Sequence, residues 1–362
     1  MRVLHYASRS VALAGLLALA AGCGSDSTGP DAPFDAAGTS ADIAAISESF
    51  DSPALAAYSS ASASISAVVG GEAAAAIRAV PTGALLTGGK ASALSYARSV
   101  VMNYVRRNPS PTVAAMEIPA QYQGVTFVWD VETHQYIPSD LTGAPASGVR
   151  FILYAINPVT QQPIEPLVPI DGYVDITVNE TAASATVRAV VVSSDVTYLD
   201  YTVVATGTAG SATVGISGYA TNGNDRVEFS LGNTLTSNDD GLALALDYEM
   251  VVPTRGGFLM DLEASVSGIA TETPTMTIDL LARGDHGTVR VQGTSTDAVG
   301  SFNVRVNGDL FATATTDGSG TVTFTGADGN ELTEEELHAL QSVFDMFANG
   351  FDLFEDLTDP IS

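Results

Sequence analysis

Chemistry in this chain would have to come from very few side chains. Its 362 residues hold one cysteine, Cys23, and four histidines, of which His134, His286 and His338 lie beyond the first 22 residues. Asp285-His286 sits in Gly284-Asp-His-Gly287. A carboxylate that orients an imidazole is half of a hydrolytic dyad, and the same residues serve equally as polar turn formers. Asp317-Gly-Ser319-Gly-Thr321 and Asp328-Gly-Asn330-Glu331 offer oxygen ligands of the kind calcium takes. In both, however, the position where an EF-hand needs glycine is occupied, by Val322 and Thr333, and turn chemistry accounts for the residues without a metal. No Gly-x-Ser-x-Gly elbow, His-Glu-x-x-His helix, phosphate-binding loop or complete Gly-x-Gly-x-x-Gly occurs. The expectation is a non-catalytic protein with no cofactor and no metal, its rival an uncharacterised hydrolase built on His286 and Asp285.

Cys23 has a different context. Arg2 and Arg9 give a short positive region, Val11 to Ala21 is apolar apart from one glycine, and Ala20-Ala21-Gly22-Cys23 follows. That core suits an export signal and is too short to span a bilayer stably. The ending resembles the lipobox of bacterial lipoproteins, in which the cysteine becomes the acylated first residue of the mature chain. It departs from that pattern in having Ala20 where the family usually has leucine, with Leu19 one step back. The resemblance implies a signal peptide over 1–22, cleavage after Gly22, and attachment of palmitate-type acyl chains to Cys23. Lipoproteins retained in the inner membrane of some bacteria carry aspartate after the cysteine; Gly24 stands there, so the resemblance favours the outer membrane. It covers about two dozen residues and implies nothing about the rest of the chain.

Composition narrows the partners. Removing residues 1–22 takes away two arginines and no acidic residue, so a formal charge of −27 becomes −29. Such a chain is repelled by nucleic-acid phosphates and by anionic lipid headgroups, which leaves acyl chains on Cys23 to hold it at a membrane. With 46% hydrophobic and 15% charged residues the composition is that of a folded chain. With one cysteine there is no internal disulfide, so the fold rests on its core. Residues 23–39 are the lipidated cysteine and a tether rich in Gly, Pro, Ser and Asp, with a root-mean-square reach of roughly 20–25 Å.

The elements that must position these residues fall into three blocks, read as one α+β domain over 40–362. Residues 40–108 predict short helices: Ser40 as a cap, Ile43, Ile46 and Phe50 at helical spacing, Pro53 in a first turn ahead of Leu55 and Tyr58, and an amphipathic segment over Ala91 to Arg107. Residues 113–325 change to period two, as in Val125, Phe127 and Trp129, or Phe302-Asn-Val304-Arg-Val306. Turn signals separate the runs, and Asn307-Gly308 is the strongest hairpin signal. A dozen or more strands at hairpin spacing, with no helical crossover, predict an antiparallel up-and-down sheet. Val149 to Ile156 is apolar on both faces, which predicts cover on both sides.

Residues 333–357 return to helix, with a Thr333/Glu336 capping box. Phe344, Phe347, Phe351 and Phe354 recur at intervals of three and four, beside a second stripe that includes Met346 and Leu353. So broad an apolar face predicts a helix filling the concave side of a strongly curved, half-barrel-like sheet. In outline this is similar to the lipoprotein-carrier half-barrels of the bacterial envelope, a likeness of architecture that carries no function. Two roles follow as expectations. One is a structural or assembly role with an envelope protein partner; the other is carriage of an apolar acyl-chain ligand in a candidate groove lined by Phe344, Phe347, Phe351 and Phe354. A transmembrane barrel also alternates, but the helical flanks and the 7% aromatic content argue against it.

Overall fold

The computed structural model describes residues 35–69 and 118–332, apart from 182–183, 209, 239–240, 269–274, 297–298 and 317–321. The export segment with Gly22 and Cys23, the Ala91–Arg107 segment, His338 and the Phe344, Phe347, Phe351 and Phe354 stripe lie outside the described residues.

Two helices open the described chain. α1 (Ala36–Ser49) begins four residues before Ser40, because Asp35 rather than Ser40 caps it: the Gly38 N–H donates to Asp35 Oδ1 at 2.9 Å. α2 (Pro53–Val69) starts as its sequence predicts, with Pro53 in the first turn and Ser52 Oγ accepting from Leu55 N–H at 3.2 Å. Ile46, Leu55 and Tyr58 are buried, with Ile43 and Phe50 packed against the same core.

The rest is a large open mixed sheet of 15 strands. Along one edge lie β1 (Val125–Asp130), β2 (Gln135–Ser139) and β3 (Gly148–Tyr154). The middle is formed by β4 (Pro169–Glu180), β5 (Ser184–Ser193), β6 (Val196–Thr208), β7 (Ser211–Thr221), β8 (Arg226–Asn238), β9 (Gly241–Val252), β10 (Phe258–Ser267) and β11 (Thr275–Gly284). Beyond them come β12 (Gly287–Ser295), β13 (Gly300–Val306), β14 (Asp309–Thr316) and β15 (Val322–Gly326). From β3 to β15 each strand pairs antiparallel with the next, the expected up-and-down order. At Asn307-Gly308 both residues have positive φ, 51° and 95°, the backbone that a two-residue hairpin requires.

The first three strands correct that order. The sheet runs β3-β1-β2, and β3 lies parallel to β1. β2 returns beside β1 as a hairpin, and residues 140–147 then carry the chain past the start of β1 to its other side. Gly148 permits the close approach there, because a Cβ would fall on the Ile176 carbonyl. The double cover expected for Val149 to Ile156 holds on one face only. Val149, Phe151 and Leu153 are fully buried, whereas Arg150 and Ile152 opposite are half-buried, Arg150 pairing with Asp175 at 2.7 Å.

Register makes one face continuously apolar. Ile176, Ala189, Tyr201, Gly218, Phe229, Met250, Met260, Ala282, Val289 and Val306 lie directly across from one another through ten strands. α2 rests on this face over β2 to β6, and α1 over β8 and β9. The opposite face is polar. Arg188 forks onto Asp200, and Arg290 onto Asp279.

Candidate functional site

Asp285 and His286 lie in a turn at one end of the sheet. The turns 194–195, 222–225, 253–257, 285–286 and 307–308, together with the loop 155–168, lie at this end, because alternate strands of a meander end there. α1 lies across it. Its start is tied to the 285–286 turn, where Asp35 N–H donates to His286 O at 3.4 Å. Its last turn is tied to the 222–225 turn, where Asn222 Nδ2 donates to Glu48 O at 3.0 Å. Four strands separate those turns, about 19 Å of sheet, and fourteen helical residues span about 21 Å. Helix length and strand count therefore match.

At the start of α1, His286 stands between two carboxylates. Its Nδ1 is 3.0 Å from Asp35 Oδ2, and its Nε2 is 3.9 Å from Asp42 Oδ2. Gly38 passes so close to the imidazole that a Cβ there would overlap the ring. Asp42 is buried, and burial pushes its carboxyl above the usual range, partly offset by the positive fields of His286 and Arg255. Next along, Arg255 Nη2 is 3.0 Å from Asp225 Oδ2, and Thr254 Oγ1 donates to Asp225 Oδ1 at 2.8 Å. These donors hold the Asp225 carboxyl below its usual range.

The structure does not bring together the pair Asp285-His286 on which the rival hydrolase reading rests. The carboxylates facing the imidazole come from Asp35 and Asp42, while the Asp285 carboxylate lies over Gly256, whose φ of +63° suits its turn. A general base needs a ring nitrogen aimed at a substrate proton; here each nitrogen faces α1. What the arrangement does is latch a helix onto a sheet. Sequence reasoning missed Asp35 and Asp42, although Asp42 left a signal. It shares a helical stripe with the buried residues Thr39, Ala45, Ile46 and Ser49, and a carboxylate in a buried stripe needs a cationic neighbour.

The other candidates stay apart from this cluster. His134 is in the turn between β1 and β2, 3.4 Å from Glu165 and largely exposed. Asp328 accepts from Asn330 N–H at 2.9 Å and from its Nδ2 at 2.7 Å, the turn chemistry expected there. Asp317 to Thr321 lie outside the described residues. Among the described residues no group of three or more His, Cys, Asp or Glu side chains is placed to hold a metal ion, and no helix is long and apolar enough to cross a membrane. No family model matches the chain, and no curated protein or solved structure is significantly similar to it.

Proposed function

We propose that this chain is an envelope lipoprotein, anchored through an acylated Cys23 and with a non-catalytic structural or assembly role. The carrying observation is how few positions separate the cysteine from the first described contact with the sheet. The sole cysteine ends an apolar export core, and Asp35, twelve positions later, is already latched to the sheet. A tether of that length reaches about 40 Å fully extended and about 20 Å on root-mean-square average. Any acyl chain on Cys23 therefore keeps the sheet close to its membrane, in the outer membrane if Gly24 is read by the resemblance. The polar residues around His286 have a structural use, which supports a role without chemistry.

The C-terminal helix belongs to the same reading. The apolar face is buried on β11 to β14 as well, at Leu280, Val291, Val304 and Ala312, whereas the main contacts of α1 and α2 stop at β9. As a helix, the 333–357 segment that carries the Phe344, Phe347, Phe351 and Phe354 stripe would have the length to cover that part: 25 residues span about 37 Å, and four strands about 19 Å. Burial of the apolar face also supports this reading over a transmembrane barrel, whose apolar face meets lipid. Large side chains meeting between helix and sheet, such as Tyr58 and Tyr201 with hydroxyls 2.7 Å apart, favour a filled interior over a hollow acyl-chain carrier.

Cys23→Ser tests the anchor. The variant is expected to leave the membrane fraction or to remain uncleaved, and to lose radiolabelled palmitate. A mature, membrane-bound variant contradicts the proposal. Phe351→Ala separates the two roles. A filled interior predicts a loss of about 3–5 kcal/mol of stability and no lipid in native mass spectra, whereas stoichiometric lipid restores the carrier reading.

A further inference from the structure

We infer that the end of the sheet carrying α1 and the 155–168 loop faces the lipid bilayer and rests its loop tips in a zwitterionic headgroup layer. The inference rests on the anchoring reading, and two independent features of the fold carry it further. The first is where the tether enters. Asp35 is fixed to His286 at the 285–286 turn, so twelve positions separate Cys23 from this end of the sheet. The opposite end lies a full strand further away; β11 alone has ten residues, about 33 Å.

The second feature is where the exposed apolar side chains lie. Val159 at the tip of the 155–168 loop is 88% exposed, and Ile164 and Val168 of the same loop are also exposed. The His134–Glu165 contact brings this loop beside the β1–β2 turn, which exposes Val131. Val196 and Leu310 are exposed at the starts of β6 and β14, at the same end. At the opposite end, Leu141 and Val299 are the large apolar side chains exposed among the described residues. Val131, Val159, Ile164 and Val168, grouped at one corner of this end, mark a contact surface, and an apolar surface at the headgroup–acyl boundary is buried by shallow insertion. Glu132, Asp195 and Asp309 lie among them, so the layer that accepts this end is neutral, since anionic headgroups would repel it.

The full-length chain can report this directly, because an acylated Cys23 leaves an introduced cysteine as its one free thiol. Val159→Cys and, at the opposite end, Val299→Cys would each be labelled with an environment-sensitive fluorophore. Both proteins would then be reconstituted in phosphatidylcholine vesicles containing nitroxide-bearing lipid. The expected result is a blue shift and quenching at position 159, little change at position 299, and a weaker response at 159 when anionic lipid is added. An acylated chain quenched equally at both positions, or more at 299, overturns the orientation alone. A second labelled thiol at an unacylated Cys23 overturns the anchor, and the orientation with it.

Discussion

The phenol oxygens of Tyr58 on α2 and Tyr201 on β6 lie 2.7 Å apart, with both side chains at 1% exposure. This is a direct polar bond across the helix–sheet interface, 143 residues apart in sequence. Tyr58→Phe removes it while keeping the ring, and is expected to cost about 1 kcal/mol. Tyr201→Phe should cost a similar amount, and the double variant less than the sum of the two, because the bond they share is lost only once. Denaturant titration followed by the sole tryptophan, Trp129 on β1, gives the three values. Strict additivity would show that the hydroxyls do not interact.

Alkaline stability follows from the same burial. Burial pushes the phenols of Tyr58, Tyr136, Tyr201 and Tyr248 above their ordinary value of 10.0. Above about pH 10 the unfolded chain loses those protons while the folded chain keeps them. Unfolding then releases protons, and stability falls as pH rises. Each such tyrosine contributes a decline of about 1.4 kcal/mol per pH unit, absent below pH 10. Denaturant midpoints measured from pH 8 to 11.5 test it, with Tyr58→Phe expected to show the shallower slope. A flat profile across that range would contradict the burial of these rings.

Two aspartates at the latch should respond to acid in opposite senses. Burial raises Asp42 above 3.8, so its folded form holds a proton that the unfolded form has released. Its contribution is therefore greatest below about pH 3.8 and declines as pH rises through the raised folded value. Asp42→Asn should gain on the parent over that window and then keep a constant lead. Asp225 is lowered by Arg255 and Thr254. Its contribution is present above about pH 3.8 and is lost as pH falls through the folded value, so Asp225→Asn should lose on the parent at neutral pH and converge with it in acid. Melting temperatures of the three proteins between pH 2.5 and 7 decide both; parallel curves would rule out the assignment.

Glycines in β7 should differ sharply. Gly218 lies opposite Tyr201, and a Cβ there would run into the Asp200 carbonyl and the Tyr201 backbone. Gly218→Ala is expected to cost about 1–3 kcal/mol through overpacking. Gly215, three residues earlier, would place its Cβ 3.8 Å from the nearest atom, Leu231 O. Gly215→Ala should then be neutral or stabilising by about 0.5–1 kcal/mol, because it restricts the unfolded chain. Equal losses at the two positions would contradict the register.

Much of the sheet was legible because side-chain alternation and turn residues are local. Val227 to Leu231 and Phe302 to Val306 announce strands by period two, and Asn222, Arg255-Gly256-Gly257 and Asn307-Gly308 mark where they reverse. The parallel pairing of β1 with β3 was not legible: period two is the same in both directions, and the connection that decides direction is an irregular run over 140–147. The start of α1 was missed for a similar reason. Ser40 and Asp35 are both good caps in isolation, and the choice falls to Asp35 through His286, 251 positions away. The adjacency that suggested an Asp285–His286 pair was likewise overruled by contacts distant in sequence.

The taper of the sheet has a consequence for how copies of this chain meet. Its central strands run to 13 residues at β6 and β8, while the two edge strands among the described residues, β2 and β15, have five each. A five-residue edge presents about half of its backbone groups outward, and Pro138 in β2 has no N–H to offer. A neighbouring copy approaching either margin thus finds too short a ladder to extend the sheet. The width of the sheet is limited by its own sequence, so crowded molecules can lie side by side without polymerising into a continuous ribbon.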